Sequence, residues 1–328
     1  MKKYLFCLAI ILPVFIPGSV FAQEDMEFSF NTWMSQGQTK WRHDSQHSLY
    51  GVPTSELDYQ GVNSQIAEIG AIRHLSTGHS LKLTIGAGAI DEGTLVDDDY
   101  LSASGAAYYS ATQSGAHRFS RTHSDIDGSG LFYLKGEFTP KDFHINTPLS
   151  DVRFSLGLHY WEEEYTANGL RQIECTVLSH PELSCLPAGL SVLSGVTVIT
   201  NKVEWTGVGV AMDALFNLSD RLVFQLDLTY YPLMSLVNED THHLRGDLAQ
   251  DPSIRMSGNG TGYDLATVLQ YRFAENFSAH LGYRIWERWV KNQTITFYGA
   301  GGGASSANLM DFRTRRDGFI AGVEFQFN

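Results

Sequence analysis

The feature that most constrains this chain is a two-residue apolar period that recurs ten times, with no helical period between the repeats. Successive side chains of a strand point to opposite faces, so such alternation marks a sheet with one apolar face. The third segment is the clearest case. Leu81, Leu83, Ile85, Ala87 and Ala89 share one face, and Lys82, Thr84, Gly86 and Gly88 share the other. The first segment begins at Phe28 and Phe30, the second covers about 60–74, and the sixth about 200–214. The others run Phe132–Phe138, Phe154–Tyr160, Leu222–Tyr230, Leu265–Phe273, Phe277–Ile285 and Phe319–Phe327. With the residues that flank these cores, each segment is about ten residues or more, enough to cross a bilayer tilted. An even strand count is what a single-chain bacterial barrel requires. A soluble β-sandwich or lipocalin-like barrel also alternates, but it does not account for long strands with long connections all at one end.

The connections alternate in length. Short ones fall at 75–79, 217–220 and 274–276, with a middling one at 139–150. Long ones fall at about 39–59, 90–126, 165–199, 237–258 and 293–310, after the odd-numbered strands. Outer-membrane barrels keep short turns in the periplasm and long loops outside. The sequence therefore predicts an all-β fold: a ten-stranded antiparallel transmembrane β-barrel with long extracellular loops in the bacterial outer membrane.

The N-terminus fits export. Met1-Lys2-Lys3 precedes an apolar run to Pro17, and Val20 and Ala22 match a small-x-small cleavage site before Gln23. Residues 1–22 read as a signal peptide and 23–328 as one barrel domain. Removing Lys2 and Lys3 takes the formal charge from −13 to −15, which argues against nucleic acid as a partner. Cys7 leaves with the leader. Cys175 and Cys185 remain, an even pair that predicts a disulfide within one loop. A zinc site using His180 is the alternative, but it lacks a fourth ligand. No cofactor or metal is expected.

Two acidic stretches carry chemistry. Asp97-Asp98-Asp99 follows strand three, and Asn238-Glu239-Asp240-Thr241-His242-His243 follows strand seven. Taken singly, the triplet reads as a solvated acidic loop and Asp240-x-His242 as a chance loop pair. A calcium loop would need ligands spaced differently. Strand parity, however, puts both stretches on one rim, on staves four apart in a closed ring of ten. Asp97 and Asp99 on one wall and Asp240 and His242 on the other can hold and activate a water. His242 would be the general base, oriented by Asp240. Its unperturbed titration predicts that activity falls below about pH 6.

The stretches Ser55-Glu56-Leu57-Asp58-Tyr59, Leu95-Val96-Asp97-Asp98-Asp99-Tyr100, Gly157-Leu158-His159-Tyr160 and Asn238-Glu239-Asp240-Thr241-His242 resemble, in order and spacing, the omptin family of outer-membrane proteases. The resemblance implies a ten-stranded barrel with an extracellular cleft. It gives Asp97 and Asp99 the role of the family's Asp pair, and Asp240 and His242 that of its Asp-x-His. A polypeptide at the cell surface is the implied substrate, and outer-membrane lipid, including lipopolysaccharide, the implied surroundings. Tyr59 and Tyr100 stand where the family carries Trp. Trp41 and Asn238 stand where it carries acids that receive basic substrate side chains, so altered specificity is expected. Glu164 stands where it carries an Arg for lipid A, which puts lipopolysaccharide dependence in question. The rival reading is a surface barrel of the same fold without protease activity, an adhesin or structural protein. A passive pore ranks third.

Overall fold

The computed structural model describes residues 25–327 apart from 112–116, 128, 142 and 148–149. The leader and its cleavage site lie outside the described residues. Twelve strands follow in order: β1 (Met26–Asp44), β2 (Tyr50–His74), β3 (Ser80–Leu101), β4 (Arg118–Ile126), β5 (Gly130–Thr139), β6 (His144–Asn146), β7 (Ser150–Cys175), β8 (Ser191–Asn217), β9 (Leu222–His242), β10 (Ile254–Ala274), β11 (Phe277–Tyr298) and β12 (Ala304–Phe327). One short helix, α1 (Ala103–Tyr108), follows β3.

All pairings are antiparallel, and β1 pairs with both β2 and β12, which closes the ring. Both β4 and β5 lie between β3 and β7, so they are two lengths of one stave. β6 adds only a three-residue pairing to the start of β7. Twelve strands, less one for the split stave and one for β6, leave ten staves. β3 is then the third and β9 the seventh, close to opposite.

The unsplit staves run from 19 to 27 residues, about twice what a tilted crossing needs. They therefore stand well out of the bilayer, and this corrects the expected loops. Most of the described part of 39–59, 90–126, 165–199, 237–258 and 293–310 is continued strand, and among the described residues it is interrupted at 45–49, 102–111, 117, 176–190, 243–253 and 299–303. The physical reason is that lipid is what demands an apolar outer face. Above the lipid the ladder of backbone hydrogen bonds continues, but the outward side chains become polar and the alternation fades. Asp97, Asp98 and Asp99 sit on such an extension of β3 rather than in a loop.

Lower on the wall the outward face is a belt of exposed apolar side chains, including Leu158 at 66%, Leu233 at 69% and Phe319 at 58% exposure. Aromatic rings pack near the end that carries the termini, as in Phe277–Phe325 at 5.0 Å and Phe28–Phe327 at 5.8 Å between centroids. Inside, Trp33, Tyr133 and Trp161 pack on Trp286 at 4.7–4.9 Å. The ion pairs Arg284–Glu68, Arg288–Asp264 and Arg316–Glu163 surround them. This plug floors the outer half of the barrel.

Candidate active site

Strand period two decides which acids meet. Asp97 and Asp99 point to the inside of β3, and Asp98 points out. Outside, Asp98 receives both arms of Arg121, with Nε at 2.6 Å, and lies 3.7 Å from Arg118. Its charge is neutralised away from the lumen, and it takes no part in the site.

Asp97, Asp99 and His242 line one cavity of about 350 Å³ in the outer half of the barrel. The Ser55 hydroxyl, on the neighbouring β2, donates to Asp97 Oδ1 at 3.5 Å. Burial pushes the Asp97 carboxyl well above the usual carboxylate range, and the charges of Asp99, Asp98 and Asp240 push the same way. Burial raises Asp99 to about 6, against the opposing pull of Ser55 and Arg245. Two close carboxyls in such surroundings share a proton near neutrality.

On the opposite wall Asp240 and His242 share the inner face of β9, with His242 Nε2 3.8 Å from Asp240 Oδ1. Both atoms lack a hydrogen-bond partner among the described residues. They face each other at a separation that a small approach would turn into a hydrogen bond, as is common before substrate arrives. The Tyr59 hydroxyl, reaching across from β2, donates to Asp240 Oδ2 at 3.4 Å. The backbone of His242 is fixed from the turn that follows it: its N–H donates to Ser253 Oγ at 2.9 Å, and Gln250 Nε2 donates to its carbonyl at 3.2 Å. Burial raises Asp240 to about 7. Burial lowers the His242 imidazole to about 4, with Arg245 and His243 acting in the same direction. At neutral pH His242 is therefore an unprotonated base.

Other expected positions divide. Trp41 lines the cavity. Asn238 does not; it is fully buried in a reciprocal pair with Asn201 at 3.0 and 3.2 Å. Asn238 therefore offers no pocket wall, because its amide is spent on Asn201 and the Lys202 carbonyl. Glu164 is on the outer face, in register with Lys202. His243 turns away to Thr200 Oγ1 at 2.9 Å. Cys175 and Cys185 are bonded to each other, and the His180 ring packs on Tyr109 at 4.8 Å. Ser55, the Tyr59 hydroxyl and Arg245 had no role in the sequence reading. Pairing β2 in register with β3, through Ser55–Asp99, Leu57–Asp97 and Tyr59–Leu95, is the signal that finds the first two.

No family model and no curated protein matches the chain. Among solved structures, the outer membrane protease OmpT from Escherichia coli matches with a TM-score of 0.71 at 14% identity, over 94% of this chain and 100% of that one. The attachment invasion locus protein Ail of Yersinia pestis matches with a TM-score of 0.30 at 8% identity, over 93% and 100%. The translocator domain of the autotransporter NalP from Neisseria meningitidis gives 0.36 at 6%, over 99% and 95%. The last two scores are too low to carry weight. At such identity the OmpT match speaks to architecture alone, and the architecture is that of an outer-membrane β-barrel with the fold seen in OmpT.

Proposed function

We propose that this barrel is an outer-membrane endopeptidase that hydrolyses peptide bonds in its extracellular cleft with Asp97, Asp99, Asp240 and His242. One observation carries the reading: the His242 imidazole and the Asp97/Asp99 carboxyls line the same cavity from opposite walls, where burial favours the neutral imidazole and raises both carboxyls. A water held between them loses a proton to His242 as its oxygen attacks the peptide carbonyl carbon. Ionised Asp240 stabilises the imidazolium that forms. The protonated member of the Asp97/Asp99 pair donates a hydrogen bond to the water or to the developing oxyanion. The imidazolium then returns its proton to the leaving nitrogen as the C–N bond breaks. The surface-barrel reading without activity is the alternative that the assay separates.

The assay offers a mixed peptide library to the protein displayed on cells. Cleavage is expected, and His242→Ala and Asp97→Ala should each reduce it by roughly 10²–10⁴-fold, the range for losing a positioned acid or base. Cleavage that survives both substitutions sinks the mechanism. An unmodified protein that cuts nothing, though folded, leaves the surface-barrel reading.

A further inference from the structure

The cleft has two ends as well as two walls. Going round the ring from β3 to β9, one path passes β4, β7 and β8, and the other passes β2, β1, β12, β11 and β10. On the second path Trp41 and His43 of β1 and Phe297 of β11 line the cavity, with the His43 and Phe297 rings 5.2 Å apart. On the first path Leu170, Val198 and Ile199 line the cavity, with Thr122 and Ser124 of β4 between them and the acidic wall, Thr122 in register with Asp97. A peptide laid between the walls sends the side chains flanking the reacting bond toward these two ends.

Charge separates the possible occupants. Among the described residues that line the cavity, Asp97 and Asp99 are the only carboxylates. Both belong to the water-activating wall, and neither lies at an end. A lysyl or arginyl side chain entering either end would lose its hydration and meet no counter-charge, which is costly in such surroundings. Arg245 lines the mouth, but its guanidinium is held by Asp247 at 2.7–2.8 Å. At the aromatic end, Trp41 Nε1 and His43 Nδ1 are buried and have no partner among the described residues. That is a polar edge on an otherwise apolar recess.

We infer that the cleft recognises uncharged apolar side chains on both sides of the bond, an aromatic one at the Trp41–His43–Phe297 end and a branched aliphatic one at the Leu170–Val198–Ile199 end, and disfavours Lys, Arg and Glu. The inference rests on the endopeptidase reading for where the substrate lies, but recognition is measurable without turnover. Binding to the detergent-solubilised protein is followed by calorimetry with peptides in which a hydroxyethylene group replaces one peptide bond. The flanking pairs are Phe–Val, Lys–Lys and Glu–Glu.

The Phe–Val ligand should bind roughly ten- to a hundredfold more tightly than the other two, the scale of burying one large apolar side chain. Trp41→Glu should narrow or reverse the Phe–Val over Lys–Lys ratio, and Ile199→Asp should do so from the opposite end if the first variant does not fold. Equal affinities, a preference for Lys–Lys or Glu–Glu, or ratios that neither folded variant moves would overturn the inference. The same sequences with intact bonds separate the two claims. Phe–Val preference without cleavage removes the hydrolytic reading and keeps the recognition. Cleavage at Lys–Lys keeps hydrolysis and removes the recognition.

Discussion

Asp97, Asp99 and His242 face one cavity, Asp240 lies buried beside His242, and burial acts on all four in the direction of the uncharged form. For the carboxyls this means upward, to about 7 at Asp240 and about 6 at Asp99; for the imidazole it means downward, to about 4. The consequence reverses the sequence expectation for pH. With falling pH the first groups to take up protons are the carboxylates, and His242 follows only near pH 4. Activity should therefore fall below about pH 7 as Asp240 loses its charge, not near pH 6 through the imidazole. Tyr59 tests the assignment. Its hydroxyl bonds the Asp240 carboxylate and so lowers the pKa that burial raises. Removing that donor in Tyr59→Phe should carry the acidic limb of kcat/KM to higher pH and slow cleavage several-fold at pH 7. A limb near pH 4 in the unmodified protein, or one that Tyr59→Phe leaves in place, would count against the scheme. At this scale the sequence exposes what period two exposes: Asp-x-Asp and Asp-x-His each put a pair on one face. It conceals the parts of Ser55 and Tyr59, because contacts between strands depend on register.

Each stave has two chemical halves, and they differ in what a sequence reveals. In the lipid half, alternation is enforced by hydrocarbon on one side, so Leu156, Leu158, Val208 and Val210 mark their strands plainly. In the outer half both faces meet water or polar lumen, so Arg118–Ile126 reads as loop although it is strand β4. The outer half therefore needs other ties, and the disulfide is one. Cys175 pairs across β4 with Ser120, and Ser120 pairs with Asp99. The bond from Cys175 to Cys185 closes the 176–190 connection onto the row that carries Asp99, beside a small cluster of Leu101, Phe119 and Val177. A Cys175→Ser/Cys185→Ser variant should lose about 2–3 kcal/mol locally. Limited proteolysis should then cut 176–190 faster, with kcat reduced, while thermal unfolding of the lipid-spanning wall is unchanged. Equal proteolysis rates with and without the bond would show that the rim holds without it.

Across the whole molecule, parity of short and long connections was enough to put both acidic stretches at one end, but nothing in a linear sequence indicates how the ring is filled. The filling decides between a cleft and a pore. Arg316 is almost fully buried, paired with Glu163 and donating to Ser64 Oγ at 2.6 Å and Ser35 Oγ at 3.1 Å. Glycine at position 37 makes room for it, since a Cβ there would come within 2.5 Å of the guanidinium. Glu163 also accepts from Trp161 Nε1 at 3.3 Å, which ties the ion pair to the aromatic plug. Glu163→Gln leaves a buried cation without its counter-charge and should destabilise the barrel by roughly 3–5 kcal/mol, whereas replacing both partners with Leu should cost far less. Denaturant midpoints in detergent micelles measure both. If Glu163→Gln and the double variant unfold alike, the pair is not what secures the plug. The same packing forecasts that the unmodified protein, in a planar bilayer, gives no stable conductance step. A steady ohmic current would mean that the aromatic floor opens and that the cleft above it is the vestibule of a channel.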